Sequence, residues 1–275
     1  MIIVSWNVKD KLRSCLNSVL KNNATEIYVV DNNSSDGSVD MVRESFPGVN
    51  LIENSVNKGF AFACNQAIKK SQADIILLLN PDAELRDGAL NMAEIFFHEH
   101  TEAGIVGGKI LDKDNSIQKS VRKLPSIFSQ VMVVTKIARI FKTAISDYLM
   151  DDFDYSRDNR VEQVSGALFF VTKKFIQKAG YLDEGYFIWF EEVDWCKKAK
   201  ELGFEVWYTP TISAHHIGGA SFYQLSHLQR QRLFNASLLY YFKKNHSFGS
   251  YLILKLFTPI GILESLIIDI FKPHV

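Results

Sequence analysis

The sequence predicts an α/β protein with a mostly parallel, doubly wound sheet flanked by helices and a helical extension at the C-terminus. From residue 1 to residue 87, short β-branched and aliphatic runs alternate with segments of helical periodicity, a pattern typical of parallel sheets. The run "IILLL" at residues 75–79 has no polar position, as expected of a strand buried on both faces. Residues 221–246 show the periodicity of one long helix.

The elements of the first part follow in order. The strand "IIVSWN" precedes the helix "DKLRSCLNSVLKN", in which Leu12, Cys15, Leu16, Val19 and Leu20 are expected to share one face. The strand "EIYVVD" then leads through the turn "NNSSDGS" into a short helix, "SVDMVRESF", which Pro47 ends. The strands "VNLIEN" and "ADIILLLN" follow, separated by the helix "GFAFACNQAIKKS".

The rhythm changes after residue 87. "GALNMAEIFFHEH" predicts a helix and "AGIVGGKIL" a strand, while residues 125–160 predict a helix followed by a polar loop. "VEQVSGALFFVTKKFIQKAG" predicts a strand and then a helix, and a further helix begins near Glu191 and ends at Gly203. "EVWYTPTISAHHIGG" predicts two strands separated by Pro210, because proline cannot donate to a sheet ladder.

The composition limits the class of protein. The chain has 275 residues, 47% of them apolar and 23% charged, which is enough for one sizeable core. Lys plus Arg and Asp plus Glu each number 31, so no net charge draws the chain to nucleic acid and an anionic ligand needs a local site. Cys15, Cys64 and Cys196 lie far apart, and we expect them to be small core side chains in a reducing compartment.

The two ends of the sequence differ. "MIIVSW" is too short and lacks the basic region of a signal peptide, so we expect a strand from the first residue. Residues 251–271 are very apolar but carry Lys255, Pro259, Glu264 and Asp269. A membrane-spanning helix requires about 20 nearly uncharged residues. Residues 251–271 therefore predict a hairpin of helices that binds a membrane interface or a partner; a helix packed on the protein's own core is the alternative.

Polar side chains follow four of the predicted strands, at the sheet edge where the carboxyl ends of parallel strands meet. Ligands bind at that edge in such sheets. A single Asp after a strand is more often a turn former or helix cap, but four polar ends in a row favour a binding site. The four ends are Ser5-Trp6-Asn7, Asp31-Asn32-Asn33 with Asp36 shortly after, Asn57-Lys58-Gly59-Phe60, and Asn80-Pro81-Asp82.

Two of these carboxylates suggest a nucleotide diphosphate site. Asp31 can accept a hydrogen bond from the N–H of a nucleobase. Asp82 beside a diphosphate requires a cation between them, and a divalent ion bridges a carboxylate and phosphates. Pro81 fixes its own φ and restricts Asn80, so Asp82 is presented in a defined direction.

The stretch "FEEVDWC" places three acids at the start of a predicted helix. They are explained either as first-turn acids favoured by the helix dipole or as general bases in a partly dry cleft, where desolvation raises the pKa of a carboxyl group. The neighbouring aromatic residues favour the second explanation. The acids are Glu191, Glu192 and Asp194, and the aromatic residues are Phe187, Trp189, Phe190 and Trp195.

The stretch "AHHIGG" ends a predicted strand with two histidines. Neighbouring side chains of a strand face opposite ways, so one histidine can face the site and the other the core. His216 is explained equally well as a metal or phosphate contact and as a structural residue. Gly218 and Gly219 would allow a close backbone approach or a hinge.

These motifs together resemble the family 2 inverting glycosyltransferases, which have the GT-A fold, and among them the bacterial rhamnosyltransferase-like enzymes. The resemblance covers about residues 1–225 and rests on six motifs in the family's order. They are "VSWN", "VVDNNSSDGS", "NKGFAFACNQAI", "LLLNPDAEL", "VSGALFFV" and "YFIWFEEVDWCKKAKELGFEVWYTPTISAHHIGGAS".

The resemblance implies a role for each residue at the strand ends. Asp31 would bind the base of the donor and Asp36 would support its loop. Asp82 would hold Mg or Mn against the diphosphate, with His216 completing the metal site. The other donor-binding residues would be Ser5, Trp6, Asn7, Asn32, Asn57, Gly59, Asn65, Asn80 and Pro81.

The chain departs from the family pattern at two positions. Asn80 replaces the first acid of the family's Asp-x-Asp metal motif, which leaves one carboxylate there. Glu192 stands where the family usually has its catalytic Asp, and would deprotonate the acceptor hydroxyl for direct attack at the anomeric carbon. Glu191 and Asp194 would position the acceptor, and either of them could serve as the base instead.

As a whole, the resemblance implies a metal-dependent hexosyltransferase of cell-surface polysaccharide synthesis, with rhamnose as the first choice of sugar. The donor would be dTDP-rhamnose or a UDP-sugar, and the acceptor a hydroxyl of a saccharide or of a lipid-linked molecule. Residues 1–220 would form the nucleotide-sugar-binding and catalytic domain. Residues 221–275 would form a helical segment that holds the enzyme at the cytoplasmic face of the plasma membrane.

Four other functions fit less well. A nicotinamide-dependent oxidoreductase needs G-x-G-x-x-G after the first strand, where this chain has "VSWNVKD". A sugar-nucleotide pyrophosphorylase needs a glycine-rich phosphate loop near the start. A glycoside hydrolase uses paired acids but leaves the nucleotide-type strand edge unexplained. A non-catalytic carbohydrate- or nucleotide-binding subunit has no need of acids at positions 31, 82 and 192.

Overall fold

A computed structural model of the protein describes residues 1–218 and 222–271, and within them a nine-stranded sheet lies between two layers of helices. Two further short strands, β7 and β9, pair separately. In chain order the strands are β1 (Ile2–Ser5), β2 (Tyr28–Asp31), β3 (Asn50–Glu53), β4 (Ile75–Leu79), β5 (Ala83–Leu85), β6 (Ala103–Leu111), β7 (Val121–Arg122), β8 (Asn159–Arg160), β9 (Gln163–Val164), β10 (Leu168–Thr172) and β11 (Glu205–His216).

The large sheet is mostly parallel, as predicted. Its strand order is β3-β2-β1-β4-β10-β6-β11-β5, with β8 paired to β11. The first four strands of the chain are parallel to one another, and β6 is parallel to β11. β10 lies between β4 and β6 and runs antiparallel to both, and the edge strands β5 and β8 run antiparallel to β11. The carboxyl ends of β1 to β4 therefore meet at one edge.

Helices cover both faces of the sheet. In chain order they are α1 (Lys9–Lys21), α2 (Ser38–Ser45), α3 (Phe60–Ile68), α4 (Ala89–Glu99), α5 (Ile127–Val134), α6 (Ser146–Leu149), α7 (Lys173–Ala179), α8 (Glu191–Glu201), α9 (His227–Asn245) and α10 (Phe248–Phe271). Helices α1, α2 and α4 pack on one face, and α3, α7 and α8 on the other. Cys15, Cys64 and Cys196 are free and fully buried in these layers, which confirms that they are core side chains. Leu20, predicted on the same face of α1 as Cys15, is instead 48% exposed, because it lies at the last turn of the helix beyond the edge of the core.

The middle of the chain departs from the predicted pattern. Residues 125–160 hold α5, α6 and two short 3₁₀ turns, Ile137–Arg139 and Lys142–Ile145, where one helix and a loop were expected. β11 is a single strand, and its register against β6 shifts between Thr209 and Ser213. Pro210 lies within that shift, so the missing N–H is absorbed by a local irregularity and does not divide the strand.

The predicted hairpin within residues 251–271 is wrong, because α10 is one continuous helix that contains Pro259. Proline removes the N–H that would bond the carbonyl four residues earlier, here that of Lys255. The hydroxyl of Thr258 donates to this carbonyl at 3.1 Å, which supplies a replacement donor. α10 pairs instead with α9 and also contacts α5.

Helix α10 has a buried and an exposed side. A Cβ at Gly261 would lie 2.6 Å from the carbonyl oxygen of Val134, so α10 and α5 approach closely only because this residue is glycine. The buried residues are Leu254, Thr258, Gly261 and Ser265. Six of the exposed apolar residues, which we call the outer stripe of α10, are Leu252, Leu256, Ile260, Leu263, Ile267 and Ile270.

Among the described residues, α10 is also the helix whose length and apolar composition would suffice to cross a membrane. Core helices of proteins that never enter a membrane meet the same two criteria. Length and composition therefore do not decide between a spanning, an interfacial and a packed helix. The prediction of a membrane-binding segment stays a prediction at this point.

Candidate active site

A cavity of about 640 Å³ lies at the carboxyl ends of the parallel strands. It brings together most of the residues that the sequence placed in a donor site, as expected from the convergence of strand ends in such sheets. The predicted residues that line it are Ser5, Trp6, Asn32, Asn57, Gly59, Asn80, Pro81 and Asp82.

Helix α9 forms the opposite wall of this cavity. It contributes Gln229, Arg232, Leu233 and Ala236, and Leu225 lies just before it. Arg232 is exposed to the cavity, and among the described residues it forms no ion pair with a carboxylate. Asp82 and Arg232 are the charged side chains of the wall, so a free guanidinium faces the strand ends.

The loop after β2 is tied down so that Asp31 is held at the edge of the site. Asp31 is buried; its Oδ2 accepts from the N–H of Ser34 at 2.8 Å, while Oδ1 has no partner among the described residues. Asn7, in a left-handed conformation with φ 51°, accepts from the N–H of Ser35 at 2.7 Å. The spare oxygen of Asp31 is therefore available to a ligand N–H.

Asp36 stabilises the same loop by hydrogen bonds to the first residues of α1 and α2. One of its oxygens accepts from the N–H of Lys9 at 2.7 Å, and the other from the N–H and the hydroxyl of Ser38. These residues open α1 and α2. Burial opposes the charge of Asp36, but these hydrogen bonds outweigh it and hold the pKa of Asp36 below its ordinary value.

Gly59 allows two segments to meet at the cavity. Its φ is +92°, and a Cβ there would lie 2.3 Å from the carbonyl oxygen of Phe187. The next residue, Phe60, donates its N–H to that same oxygen at 2.7 Å. The amides of Asn32 and Asn57 bond the carbonyl and the N–H of Gly59, so the third strand end is held by the side chains that also line the wall.

Asn80, Asp82 and His216 meet at one corner of the cavity. His216 Nε2 lies 3.3 Å from Asp82 Oδ1 and 3.1 Å from Asn80 Nδ2. Neighbouring ligands of an octahedral ion with bonds of about 2.1 Å are about 3 Å apart, so this spacing fits two ligands of one divalent ion. Within residues 1–218 and 222–271 no group of three or more His, Cys, Asp or Glu is arranged to hold a metal ion. An ion held by Asp82 and His216 would therefore take its other ligands from phosphate oxygens and water.

A strained stretch of backbone directly precedes the acidic residues at the start of α8. Trp189 and Phe190, the two residues before the helix, have φ values of 63° and 70°, a left-handed conformation that is costly for large side chains. It is stabilised by packing, because Phe190 is buried against α9. This kink aims Glu191 and Glu192 into the protein interior.

Glu191 and Glu192 are two buried carboxyl groups side by side. Burial raises the pKa of both, and the charge of Glu192 raises that of Glu191 further, whereas backbone N–H groups and Arg122 partly offset the effect on Glu192. The Oε2 atom of each is shielded and has no hydrogen-bond partner among the described residues. Shielded, unpartnered carboxyl groups with a raised pKa have the properties of general bases.

Comparison with known families identifies the family to which the chain belongs. Residues 1–162 match the family model described as glycosyl transferase family 2, which is more than half of the chain. The protein belongs to glycosyltransferase family 2. The matched region contains the four strand ends that line the cavity, from Ser5 to Asp82.

Curated relatives of this family 2 protein include rhamnosyltransferases. It is 24% identical over 202 residues to the N-acetylglucosaminyl-diphospho-decaprenol L-rhamnosyltransferase of Mycobacterium tuberculosis, which is 69% of this chain but only 66% of that relative. It is 24% identical over 225 residues to the dTDP-rhamnosyl transferase RfbF of Shigella flexneri, with 80% of this chain and 69% of the relative covered. The chain thus spans just under two thirds of the first relative.

Among solved structures, a mannosyltransferase from Pyrobaculum calidifontis in complex with GDP-Man and Mn²⁺ superposes with a TM-score of 0.59 at 14% sequence identity. The match covers 100% of this chain and 75% of that one. The likeness shows that the family 2 protein has the GT-A fold, in agreement with the predicted fold class.

The predicted donor-binding residues Asn7, Asp31, Asp36 and Asn65 do not line the cavity of the family 2 protein. The side chain of Asn65 faces elsewhere, as does that of His215, the histidine that was not assigned to the site. Asn65 is buried: its amide group donates to the backbone carbonyl of Leu182 and to Glu184, and its side-chain oxygen accepts from the N–H of Leu182. His215 contacts Asn115 in a surface turn at 2.9 Å, so the expectation that it faces the core is wrong. Strand alternation did separate the two histidines as predicted.

Asp194 is engaged in packing. Its carboxylate accepts from Lys244 Nζ and Asn245 Nδ2, both at 2.9 Å, and it is 1% exposed. It therefore anchors α8 to the end of α9. The predicted role of Asp194 in catalysis stays a prediction, and its contacts with Lys244 and Asn245 are explained by packing alone.

Arg232 is the functional candidate that sequence reasoning missed. Its only signal in the sequence is a second arginine in "LQRQRLF", on a helix that follows the motif with His216. Nothing in that stretch tells which way the helix runs. Only the return of α9 across the strand ends places this guanidinium in the cavity.

Proposed function

We propose that the protein is an inverting, divalent-cation-dependent glycosyltransferase of cell-surface polysaccharide synthesis. It would transfer a sugar from a nucleotide diphosphate to a hydroxyl of a saccharide or lipid-linked acceptor, and rhamnose is the sugar that we propose first. The observation that carries this proposal is that Asp82 and Arg232 line one cavity together. Asp31 is buried directly before Asn32, which lines the same cavity, and Phe187 and Ile188 of the lining lie just before the strained turn that opens α8. The names of the relatives from Mycobacterium tuberculosis and Shigella flexneri support rhamnose and dTDP-rhamnose.

The donor would lie along the strand ends. The free Oδ1 of Asp31 suits an N–H of the base, which a thymine or uracil provides. Asn32, Asn57 and Gly59 would face the nucleoside, and Arg232 would bind the diphosphate from the opposite wall, since guanidinium groups pair with phosphate in a bidentate manner. A UDP-sugar would satisfy the same contacts.

Asp82 and His216 would hold Mg or Mn, with the amide of Asn80 beside them. The ion, when bound, neutralises charge on the leaving nucleotide diphosphate. His216 replaces the carboxylate that the chain lacks at position 80. This assignment is supported by the 3.3 Å spacing of the two ligand atoms.

Glu192 is the proposed general base. It would take the proton of the acceptor hydroxyl while that oxygen attacks the anomeric carbon and the bond to the diphosphate breaks on the opposite side, which inverts the configuration. Glu192 is half-buried whereas Glu191 is 5% exposed and lies beside Cys64, and a base must reach the acceptor. Glu191 would keep the pKa of the pair high.

The outer stripe of α10 would bind the cytoplasmic face of the plasma membrane, close to a lipid-linked acceptor. Leu256 is 74% and Leu263 59% exposed, and water-exposed apolar stripes of this length are typical of interfacial helices. The proposed division into a domain of residues 1–220 and a helical segment of 221–275 has its boundary outside the described residues. Since α9 forms a wall of the cavity, we propose that the segment completes the donor site.

A screen of nucleotide sugars tests the function. We expect Mn²⁺-dependent hydrolysis or transfer from dTDP-rhamnose or a UDP-sugar, and loss of metal-dependent donor binding in Asp82→Ala. A protein that binds no nucleotide diphosphate with or without Mn²⁺ would not be a transferase. Release of a nucleoside triphosphate from a nucleotide sugar and pyrophosphate would identify a pyrophosphorylase, and binding without turnover would identify a non-catalytic subunit.

A further inference from the structure

Gln118 lies against His216 on the side away from the cavity. Its Oε1 is 3.0 Å from His216 Nδ1, and its Nε2 donates to the backbone carbonyl of His216 at 2.7 Å. Nε2 also donates to Asp112 Oδ1 at 2.6 Å. One amide thus holds both the backbone and the ring of the histidine.

Hydrogen-bond chemistry fixes the orientation of this amide. A carbonyl oxygen and a carboxylate oxygen face one end of Gln118, and both can only accept. A flipped amide would set its own oxygen against these two acceptors, so the NH₂ group must point at them. Its oxygen then faces His216 Nδ1, which has to carry the proton that this contact requires.

The same arrangement decides what the other ring nitrogen can do. A neutral imidazole with its proton on Nδ1 has a lone pair on Nε2. Asn80 Nδ2, a donor, lies 3.1 Å from that atom, in agreement with a lone pair there. Two acceptors, His216 Nε2 and Asp82 Oδ1, then stand 3.3 Å apart, an arrangement that a cation stabilises.

We propose that Gln118 is a positioning residue: it keeps His216 in the tautomer whose Nε2 lone pair faces Asp82, and so makes the histidine a cation ligand. The inference rests on the proposed metal-dependent function. Outer-shell hydrogen bonds of this kind fix the tautomer of metal-binding histidines, and their loss typically weakens metal binding by about 10–100-fold. No sequence motif pointed to Gln118, which lies 98 residues from its partner.

The first test reads the tautomer in the full-length wild-type chain. Histidine is labelled with ¹⁵N, and long-range proton–nitrogen spectra are recorded well above the ordinary histidine pKa of about 6.5. Loss of a signal in His216→Gln assigns the residue. We expect a protonated Nδ1 and an unprotonated Nε2; a proton on Nε2 would overturn the inference, and this result needs no variant of Gln118.

The second test measures Mn²⁺ binding by electron paramagnetic resonance without nucleotide. Gln118→Met preserves length and removes the hydrogen bonds, and we expect about 10–100-fold weaker binding and loss of the single tautomer. Asn115→Gly is the matched control, because it removes the contact to His215 at a φ of 65° that glycine tolerates; its Mn²⁺ affinity should equal that of the wild type.

The outcomes separate this inference from the proposed function. Unchanged Mn²⁺ affinity in Gln118→Met contradicts the role of Gln118. A wild-type protein that binds nucleotide diphosphates but no Mn²⁺ also contradicts it and leaves a metal-independent transferase in place. A wild-type protein that binds no nucleotide at all rejects the proposed function instead.

Discussion

At the residue scale, Glu191 and Glu192 are the two carboxyl groups with the most unusual surroundings. Each has a shielded oxygen without a partner among the described residues, and burial raises the pKa of both. Helix dipole stabilisation at the start of α8 does not suffice to offset this. They therefore combine a cost in stability with basicity that a transferase can use.

Changing Glu192→Gln should abolish turnover while the donor still binds. Removing a general base typically costs about 10²–10⁴-fold in rate, and Gln keeps the shape of the side chain. Initial rates of sugar transfer and calorimetry with the nucleotide diphosphate provide the two measurements. Normal turnover in this variant would exclude Glu192 as the base and leave Asp194 and Glu191 as the candidates.

Changing Glu191→Gln should stabilise the protein at neutral pH. In the unfolded chain Glu191 ionises near its ordinary pKa of about 4.3, while the folded protein resists its ionisation. The folded state then binds more protons, so stability falls as pH rises above that value and up through the raised pKa. Gln removes this loss.

Thermal unfolding across pH measures the effect. The Tm of Glu191→Gln should exceed that of the wild type at neutral pH, with about 2–4 °C for each kcal/mol gained, and the difference should shrink toward pH 4. Glu201→Gln is the matched control, an exposed carboxylate on the same helix, and its Tm should differ little. A Glu191→Gln protein that is less stable at neutral pH would show that the carboxylate is stabilising.

Arg232→Gln should weaken binding of nucleoside diphosphates by about 10-fold or more, since hydrogen bonds to charged groups contribute about 1.5–3 kcal/mol. The corresponding nucleoside should bind as before, because it has no phosphate. Lys243→Gln removes an equal charge from an exposed position of α9 outside the cavity wall and should have no effect. Equal diphosphate affinity in Arg232→Gln and wild type would remove Arg232 from the donor site.

At the scale of elements, α10 carries the exposed outer stripe on one side and supports α9, the helix that forms a wall of the cavity, on the other. Its Asp269 accepts from the N–H groups of His227 and Leu228, both at 2.9 Å, and so caps the start of α9. Burial opposes the charge of Asp269, but these bonds outweigh it and the pKa of Asp269 lies well below its ordinary value. Deleting α10 would therefore disturb the cavity wall as well as the outer stripe.

Substitution of the outer stripe separates these effects. Leu256→Glu with Leu263→Glu places two charges on exposed positions, and we expect a loss of cosedimentation with vesicles of phosphatidylglycerol and phosphatidylcholine while donor hydrolysis continues. Leu20→Glu with Leu202→Glu changes two exposed leucines away from α10, 48% and 42% exposed, and this double variant should still bind the vesicles. Equal vesicle binding by both double variants would place the membrane contact outside α10.

At the scale of the whole molecule, the C-terminal helices are part of the main core. Tyr186, Phe190 and Val193 pack with Leu238 and Phe242 of α9. A chain that ends at residue 218 would expose this cluster, and we expect it to aggregate or to lose cooperative unfolding and nucleotide binding. Cooperative unfolding of the shortened chain, followed by circular dichroism, would instead establish residues 1–218 as a separate domain.

Most of the cavity lining at the strand ends could be predicted from the sequence. Parallel strands end at one edge whatever their side chains are, so the residues after β1 to β4 had to converge, and Ser5, Asn32, Asn57 and Asp82 do line one cavity. The helical spacing of apolar residues likewise placed the cysteines in the core. These predictions depend on backbone periodicity, which short-range sequence patterns determine.

The remainder depends on contacts between distant segments, and only the tertiary structure decided it. Asp194 and Glu192 lie two residues apart on one helix, yet Lys244 and Asn245 hold the first while the second keeps a free oxygen. Pro259 left α10 intact because a neighbouring hydroxyl supplied a donor. Arg232 and Gln118 reach the site through chain returns that no local pattern encodes, because their positions follow from how whole helices and strands pack.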